Sequence, residues 1–132
     1  MNLSERIKHH EGRRFWPYED SEGILTVGYG RNLADVPFSQ DEIDLMFEND
    51  LRRARDGAET FFVYSQLNQA RKEVLIEMVF QMGVYGVSRF KRFLAAALKE
   101  DWSGAAKEML DSKWALQTPS RAKELSEAFD KG

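Results

Sequence analysis

Apolar positions along the chain change their spacing several times, and each change marks an element. Leu3, Ile7 and His10 share one face of a helical wheel, with Asn2 and Glu5 in a capping-box arrangement ahead of them and Gly12 behind. The pattern predicts a helix that begins after Asn2 and ends at Glu11. From Phe15 to Gly30 the helical period disappears. Aromatic and β-branched residues flank the turn-forming run Asp20-Ser21-Glu22-Gly23, which predicts a β-hairpin, and Gly28 and Gly30 loosen its second strand or bend the chain again.

Helical spacing returns after Pro37. Ser39 and Glu42 form a second capping box, and Ile43, Met46, Phe47, Asp50, Leu51, Ala54 and Ala58 follow at nearly helical intervals through one long helix, 39–60. That helix ties a small β-containing lobe to a larger helical one. Asn68 caps the next helix, where Val74, Leu75, Met78, Val79 and Met82 spread apolar surface so widely that the helix is expected to be central and buried. Two shorter helices follow, around 88–99 and 102–112. Thr118-Pro119 then sets a cap and an N1 proline in front of a last helix.

Composition narrows the class. A chain of 132 residues supports one domain with a real core, and 42% hydrophobic with 31% charged residues argues against wholesale disorder. No apolar run approaches the roughly 20 residues of a membrane-spanning helix. The opening MNLSERIKHHEG is polar and already helical in pattern, so no secretory signal is expected. The absence of cysteine removes disulfides, thiolate metal sites and cysteine nucleophiles together. A net charge of −3 argues against nucleic-acid binding, and the cluster Arg89, Lys91 and Arg92 reads as a solvated helix face.

Most of the acids in so charged a chain solvate its surface. Glu11 stands apart by position. A carboxylate in the last turn of a helix meets the negative end of the helix dipole, which disfavours its charged form, and shelter near Phe15 or Trp16 would act in the same direction. That is what a general acid acting on a glycosidic oxygen requires. Asp20 occupies the opposite kind of place, a polar turn, where an aspartate bonding its own backbone is an adequate structural reason for it. Together the two match the paired carboxylates of glycoside hydrolysis, and Thr26 adds a hydroxyl able to hold a water near Asp20. Other chemistries fare worse. Neighbours in His9-His10-Glu11 point about 100° apart on a helix and do not converge on a metal, so no metal or cofactor is expected. Gly28-Tyr29-Gly30 lacks the third glycine and the lysine of a phosphate loop, and no serine sits in an elbow motif.

Glu11-Gly12, Tyr18-Glu19-Asp20-Ser21-Glu22-Gly23 and Thr26-Val27-Gly28-Tyr29-Gly30 together resemble the catalytic signature of the phage-type lysozymes, glycoside hydrolase family 24. Met78 to Gly83 and Trp114 to Ala122 are similar to the core helix and the cleft-lining helix start of the T-even branch of that family. The resemblance implies an α+β, predominantly α lysozyme fold. It has a small β-hairpin lobe about 13–38, a connecting helix about 39–60, and a helical lobe about 61–132 with helix 2–11 packed on it. It also implies catalytic roles for Glu11 as proton donor and for Asp20 and Thr26 as the groups that position or activate water, in an inverting reaction. Arg121 would pair with Glu11 and orient it. Asn32, Phe80, Gln81, Trp114, Gln117 and Arg121 are the expected substrate-binding residues.

Some residues depart from the family's pattern. Arg31 stands where a histidine is common, so a His–Asp bridge is not expected there. Asn32 replaces an apolar cleft position, Phe93 and Glu108 replace small polar ones, and the chain is shorter between Asn32 and Ser39. Net acidity should slow the approach to an anionic polymer. The resemblance further implies bacterial peptidoglycan as substrate, with no nucleic acid and no stable membrane association. It implies a monomeric endolysin held in the host cytoplasm until the membrane is breached, dependent on a holin, and acting on the periplasmic wall. The competing readings are a lytic transglycosylase, which needs an acid but no water-positioning carboxylate, and a non-catalytic wall-binding domain on a lysozyme scaffold.

Overall fold

The computed structural model describes residues 1–132. It contains seven α-helices and one antiparallel three-stranded sheet, a predominantly helical α+β fold as the sequence and its resemblance imply. The chain forms two compact units, Met1–Asp44 and Leu45–Gly132.

The smaller unit opens with α1 (Leu3–Glu11). Asn2 Oδ1 accepts the Glu5 amide at 2.8 Å and Glu5 Oε2 accepts the Asn2 amide at 3.1 Å, so two amides that the first turn leaves unpaired are satisfied reciprocally. Gly12 stops the helix at φ 75°, a conformation that costs other residues a steric penalty, and its amide closes on the Lys8 carbonyl at 2.9 Å. Three strands follow, β1 (Arg14–Glu19), β2 (Leu25–Gly28) and β3 (Arg31–Asn32), paired in that order. Asp20-Ser21-Glu22-Gly23 makes the turn between the first two. Arg14 faces Gly28 and Tyr18 faces Thr26. Four steps on β1 thus match two on β2, and the surplus lies in Phe15-Trp16-Pro17, where Pro17 has no amide hydrogen to give the ladder.

The start of α2 (Gln40–Glu59) is joined to the sheet through one carboxylate. Glu42 Oε1 accepts from the Ser39 amide and hydroxyl, both at 2.9 Å, which is the expected capping box. The same carboxylate receives Arg31 Nη1 at 3.3 Å and Nη2 at 2.5 Å, a two-pronged ion pair. These bonds hold Glu42 well below the ordinary 4.5, at about 2, with the Arg31 guanidinium as the main cause and Ser39 as the second. Arg31, where the resemblance leads to a histidine, thus ties β3 to the first turn of α2.

The larger unit holds the core. It takes in the rest of α2, a 3₁₀ turn (Tyr64–Gln66), α3 (Gln69–Ser88), α4 (Lys91–Leu98), α5 (Trp102–Leu110), α6 (Lys113–Gln117) and α7 (Pro119–Lys131). Val74, Leu75, Met78 and Val79 are buried as their spacing predicts, and Ala54 and Ala58 continue the core from α2. Each large side chain fully removed from water contributes about 1.5–3 kcal/mol. Phe93 meets Phe129 at 5.0 Å between ring centres, and Trp102 meets Phe129 edge-on at 5.8 Å.

Three details differ from the periodicity. α3 is not one straight helix: Gly83 sits at φ 76°, ψ 168°, and kinks it. The segment after Ser112 forms the separate short helix α6, capped by the Ser112 hydroxyl, which accepts the Ala115 amide at 3.1 Å. Thr118 stands at the cap of α7, but its hydroxyl donates back to the Trp114 carbonyl at 3.0 Å and gives α7 no side-chain cap. The opposite end of α7 is closed by buried Arg71, whose Nε donates to the Phe129 carbonyl at 2.7 Å and Nη2 to the Asp130 carbonyl at 3.0 Å. The guanidinium lies 4.0 Å over the Trp102 ring and meets the negative end of the α7 dipole.

Candidate active site

The smaller unit brings Glu11, Asp20 and Thr26 into one compact group of elements. Glu11 ends α1, and the carboxylate lies directly against Gly30, in the bend between β2 and β3. A Cβ on Gly30 would stand 2.5 Å from Glu11 Oε2 and 2.9 Å from Cδ, closer than real atoms allow. Gly30 also has φ 76°, so the position excludes a side chain on two counts. Nearby, Lys8 Nζ lies 5.3 Å from the centre of the Tyr29 ring, a second contact between the last turns of α1 and this bend. Glu11 is exposed, and so are Phe15 (77%) and Trp16 (83%). The apolar shelter expected from those two rings is absent, because the surplus residues of β1 carry both out into solvent.

Asp20 shows how a turn presents a carboxylate. Oδ1 accepts the Glu22 amide at 2.8 Å and the Ile24 amide at 2.9 Å, while the backbone of Asp20 closes the turn through Ile24 and Gly23. The second oxygen, Oδ2, has no hydrogen-bond partner among these contacts. The turn-forming and the chemical reasons for an aspartate are therefore compatible: one oxygen builds the turn and the other is left available. Thr26 faces Tyr18 across the ladder and is buried, at 4% exposure. Its Oγ1 lies 2.8 Å from the Ile24 carbonyl. A carbonyl can only accept, so the hydroxyl donates there and its oxygen keeps acceptor capacity.

Asn32, opposite Thr26 in the β2–β3 ladder, uses its side chain locally. Oδ1 accepts the Ala34 and Asp35 amides, and Nδ2 donates to Asp35 at 3.1 Å. The remaining expected substrate-binding residues lie in the larger unit. Trp114 Nε1 donates to Gln81 Oε1 at 2.9 Å, so two of them are bonded to each other, with the Trp114 ring buried. Phe80 is part exposed beside Phe47, 5.9 Å between ring centres, and Gln117 is exposed. Arg121 Nε donates to Glu77 at 2.8 Å, which gives that guanidinium a carboxylate partner within its own unit. Phe93 and Glu108 border a cavity of about 530 Å³ together with Phe90 and Trp114, although the Phe93 side chain itself belongs to the core.

Residues 8–127 match the model of the phage lysozyme family. The chain belongs to the phage lysozyme family. Among its relatives are probable T4-type lysozymes 1 and 2 of Dictyostelium discoideum, 30% and 29% identical over 161 aligned positions that cover 99% of this chain and 95% of each relative. The pre-baseplate central spike protein Gp5 of Enterobacteria phage T4 is 30% identical over 155 positions, covering 96% of this chain and 27% of Gp5. As a phage-type lysozyme the chain is a glycoside hydrolase whose substrate class is peptidoglycan. Two features of this lysozyme were not read from its sequence. One is the Arg31–Glu42 pair, for which the only signal was a glutamate already explained by capping Ser39. The other is the fit of Glu11 against Gly30, for which the signal was a glycine in a bend.

Proposed function

We propose that this lysozyme hydrolyses the β-1,4 bond between N-acetylmuramic acid and N-acetylglucosamine by a single displacement. Glu11 gives its proton to the glycosidic oxygen as the bond from that oxygen to the anomeric carbon breaks. A water held by Asp20 Oδ2 and Thr26 Oγ1 attacks the anomeric carbon from the opposite face and passes a proton to Asp20. The observation that carries this reading is the hydrogen-bond state of the hairpin. Asp20 has one oxygen engaged by two turn amides and the other available, and the Thr26 hydroxyl already donates to the Ile24 carbonyl. A water between two acceptors directs both hydrogens at them and turns a lone pair toward the sugar. A transglycosylase has no use for that arrangement, since its nucleophile is a hydroxyl of the sugar itself.

On this reading the protein is a bacteriolytic endolysin. It is made in the host cytoplasm, acts as a monomer, and reaches the periplasmic wall once a holin opens the membrane. The test is mass spectrometry of peptidoglycan digested by the protein and by its Glu11→Gln variant, which keeps the side chain's shape and removes the transferable proton. Fragments with reducing N-acetylmuramic acid ends, reduced by a factor of about 10²–10⁴ or more in the variant, are expected. Anhydro ends would make the enzyme a transglycosylase, and equal cleavage by the variant would remove Glu11 as the acid.

A further inference from the structure

We propose that the bulge of β1 docks this enzyme reversibly on bilayers of anionic phospholipid. The inference is independent of the glycosidase mechanism. The two surplus residues between Arg14 and Tyr18 push Phe15-Trp16-Pro17 out of the ladder, and the two rings on it are among the most exposed side chains of the protein. Neither ring pairs with another aromatic residue. Large apolar groups placed so far into water mark an interaction surface more often than a folding requirement.

The charge beside the rings identifies the partner. Arg13 holds its guanidinium 5.0 Å from the centre of the Phe15 ring, and Arg14 holds its own 4.9 Å from that of Tyr18. Neither arginine takes part in an ion pair with a carboxylate of this chain. The ring faces orient the two cations while their N–H groups stay available for phosphate oxygens. A protein of net charge −3 thus presents, on one short protrusion, two unpaired guanidinium groups next to a tryptophan and a phenylalanine. Tryptophan prefers the headgroup level of a bilayer, and each arginine near an anionic leaflet adds attraction. Two rings and two charges give a weak, salt-sensitive attachment, unlike a span, and no helix here is long and apolar enough to cross a membrane. A sugar strand is the less suitable occupant. Sugars stack on rings that line a concavity, whereas these two stand almost wholly in water.

The experiment is co-sedimentation of the whole protein with phosphatidylcholine vesicles, with and without phosphatidylglycerol, followed by tryptophan emission. Binding is expected only to the phosphatidylglycerol vesicles, with a blue shift in emission and release at high salt. Trp102 and Trp114 are sheltered within the larger unit, so the shift reports Trp16, and Trp16→Phe should lose the shift while keeping most of the binding. Arg13→Gln with Arg14→Gln should lower the partition coefficient roughly 10-fold or more, and Phe15→Ser with Trp16→Ser should lower it comparably. Both double variants should melt at the wild-type temperature, since these side chains join no core. Wild-type protein that ignores phosphatidylglycerol, or binds both vesicle types equally, overturns the proposal. So does wild-type binding by the double variants. If vesicles do not bind and the Phe15/Trp16 double variant loses attachment to isolated sacculi, the rings face glycan instead. Because vesicles contain no glycan, none of the vesicle results depends on the bond the enzyme cleaves.

Discussion

Between Leu45 and Gly132 lie all the buried apolar side chains of the protein; between Met1 and Asp44 the single buried residue is Thr26. The larger unit is organised as most domains are, by apolar side chains closing on one another around Leu75, Met78, Phe93 and Phe129. The smaller unit is organised by directional contacts. These are the Asn2–Glu5 capping box, the Asp20 turn, the two-pronged Arg31–Glu42 pair, and glycines where the backbone takes a positive φ. The difference teaches where chemistry can be afforded in a small protein. Side chains that meet substrate cannot also be sealed in a core; on the proposed mechanism these are Glu11 and Asp20, and here Asp20 is held by backbone amides while Glu11 lies against a close-fitting glycine. Stability in such a unit is local and modest, and its amides should exchange with solvent faster than those of α3.

The contrast predicts effects of unequal size and kind. The largest loss of stability is expected in the larger unit. Met78→Ala should cost about 2–5 kcal/mol, read as a lowered melting temperature, while the variant still folded in the cold keeps its turnover. Unchanged melting would mean that α3 does not carry the core.

A smaller but more selective effect is expected at Gly30. Gly28 and Gly30 both have positive φ, 69° and 76°, but an added Cβ meets nothing within 4 Å at Gly28 and strikes the Glu11 carboxylate at Gly30. Alanine at either position should destabilise by about 1–2 kcal/mol from backbone strain, and at Gly30 the collision with Glu11 adds to that cost. On the proposed assignment of Glu11 as the acid, only Gly30→Ala should also lower kcat, because only there is that carboxylate displaced. Equal kcat in the two variants would show that Gly30 serves the backbone alone.

The smallest effect belongs to the ion pair. The Glu42 carboxyl is held at about 2 in the folded protein against an ordinary 4.5, so its contribution is complete above pH 4.5 and is lost as pH falls from 4.5 through about 2. Melting temperatures of the wild type and Glu42→Gln should differ by a constant amount at neutral pH and converge over that acid range. A gap that stays constant down to pH 2 would assign the stabilisation to something other than the charged pair.

Much of this could be read from residue order because it is local. A cap, a turn and a helix stop are decided within four or five residues, and so Asn2, Ser39, Asp20-Gly23 and Gly12 announce themselves. The periodicity of Val74, Leu75, Met78 and Val79 likewise reports a buried face without reference to what buries it. Glu11 was legible as a candidate from its place in the last turn of α1, Asp20 and Thr26 from the turn and strand around them, and the family resemblance supplied the intervals that join the three. What stayed hidden depends on contacts between residues far apart, or on a ladder's register. Nothing in the composition of β1 says that its middle carries two residues too many, and so Phe15 and Trp16 read as shelter for Glu11 when they stand in water. Arg71 carries no local signal of its role, because its partners are carbonyls about 60 residues further on. The Gly83 kink was hidden for the opposite reason: apolar spacing runs through a glycine without recording its φ.

The mechanism proposed for this lysozyme requires that the hairpin hold a water and not itself attack the sugar. It is tested most directly by proton NMR of the anomeric signals in the first minutes of digestion, before mutarotation mixes the products. Cleavage of a β bond by a water held between Asp20 and Thr26 predicts α-configured reducing ends as the first product. β-Configured ends appearing first would contradict the account and would make Asp20 a nucleophile in a two-step reaction.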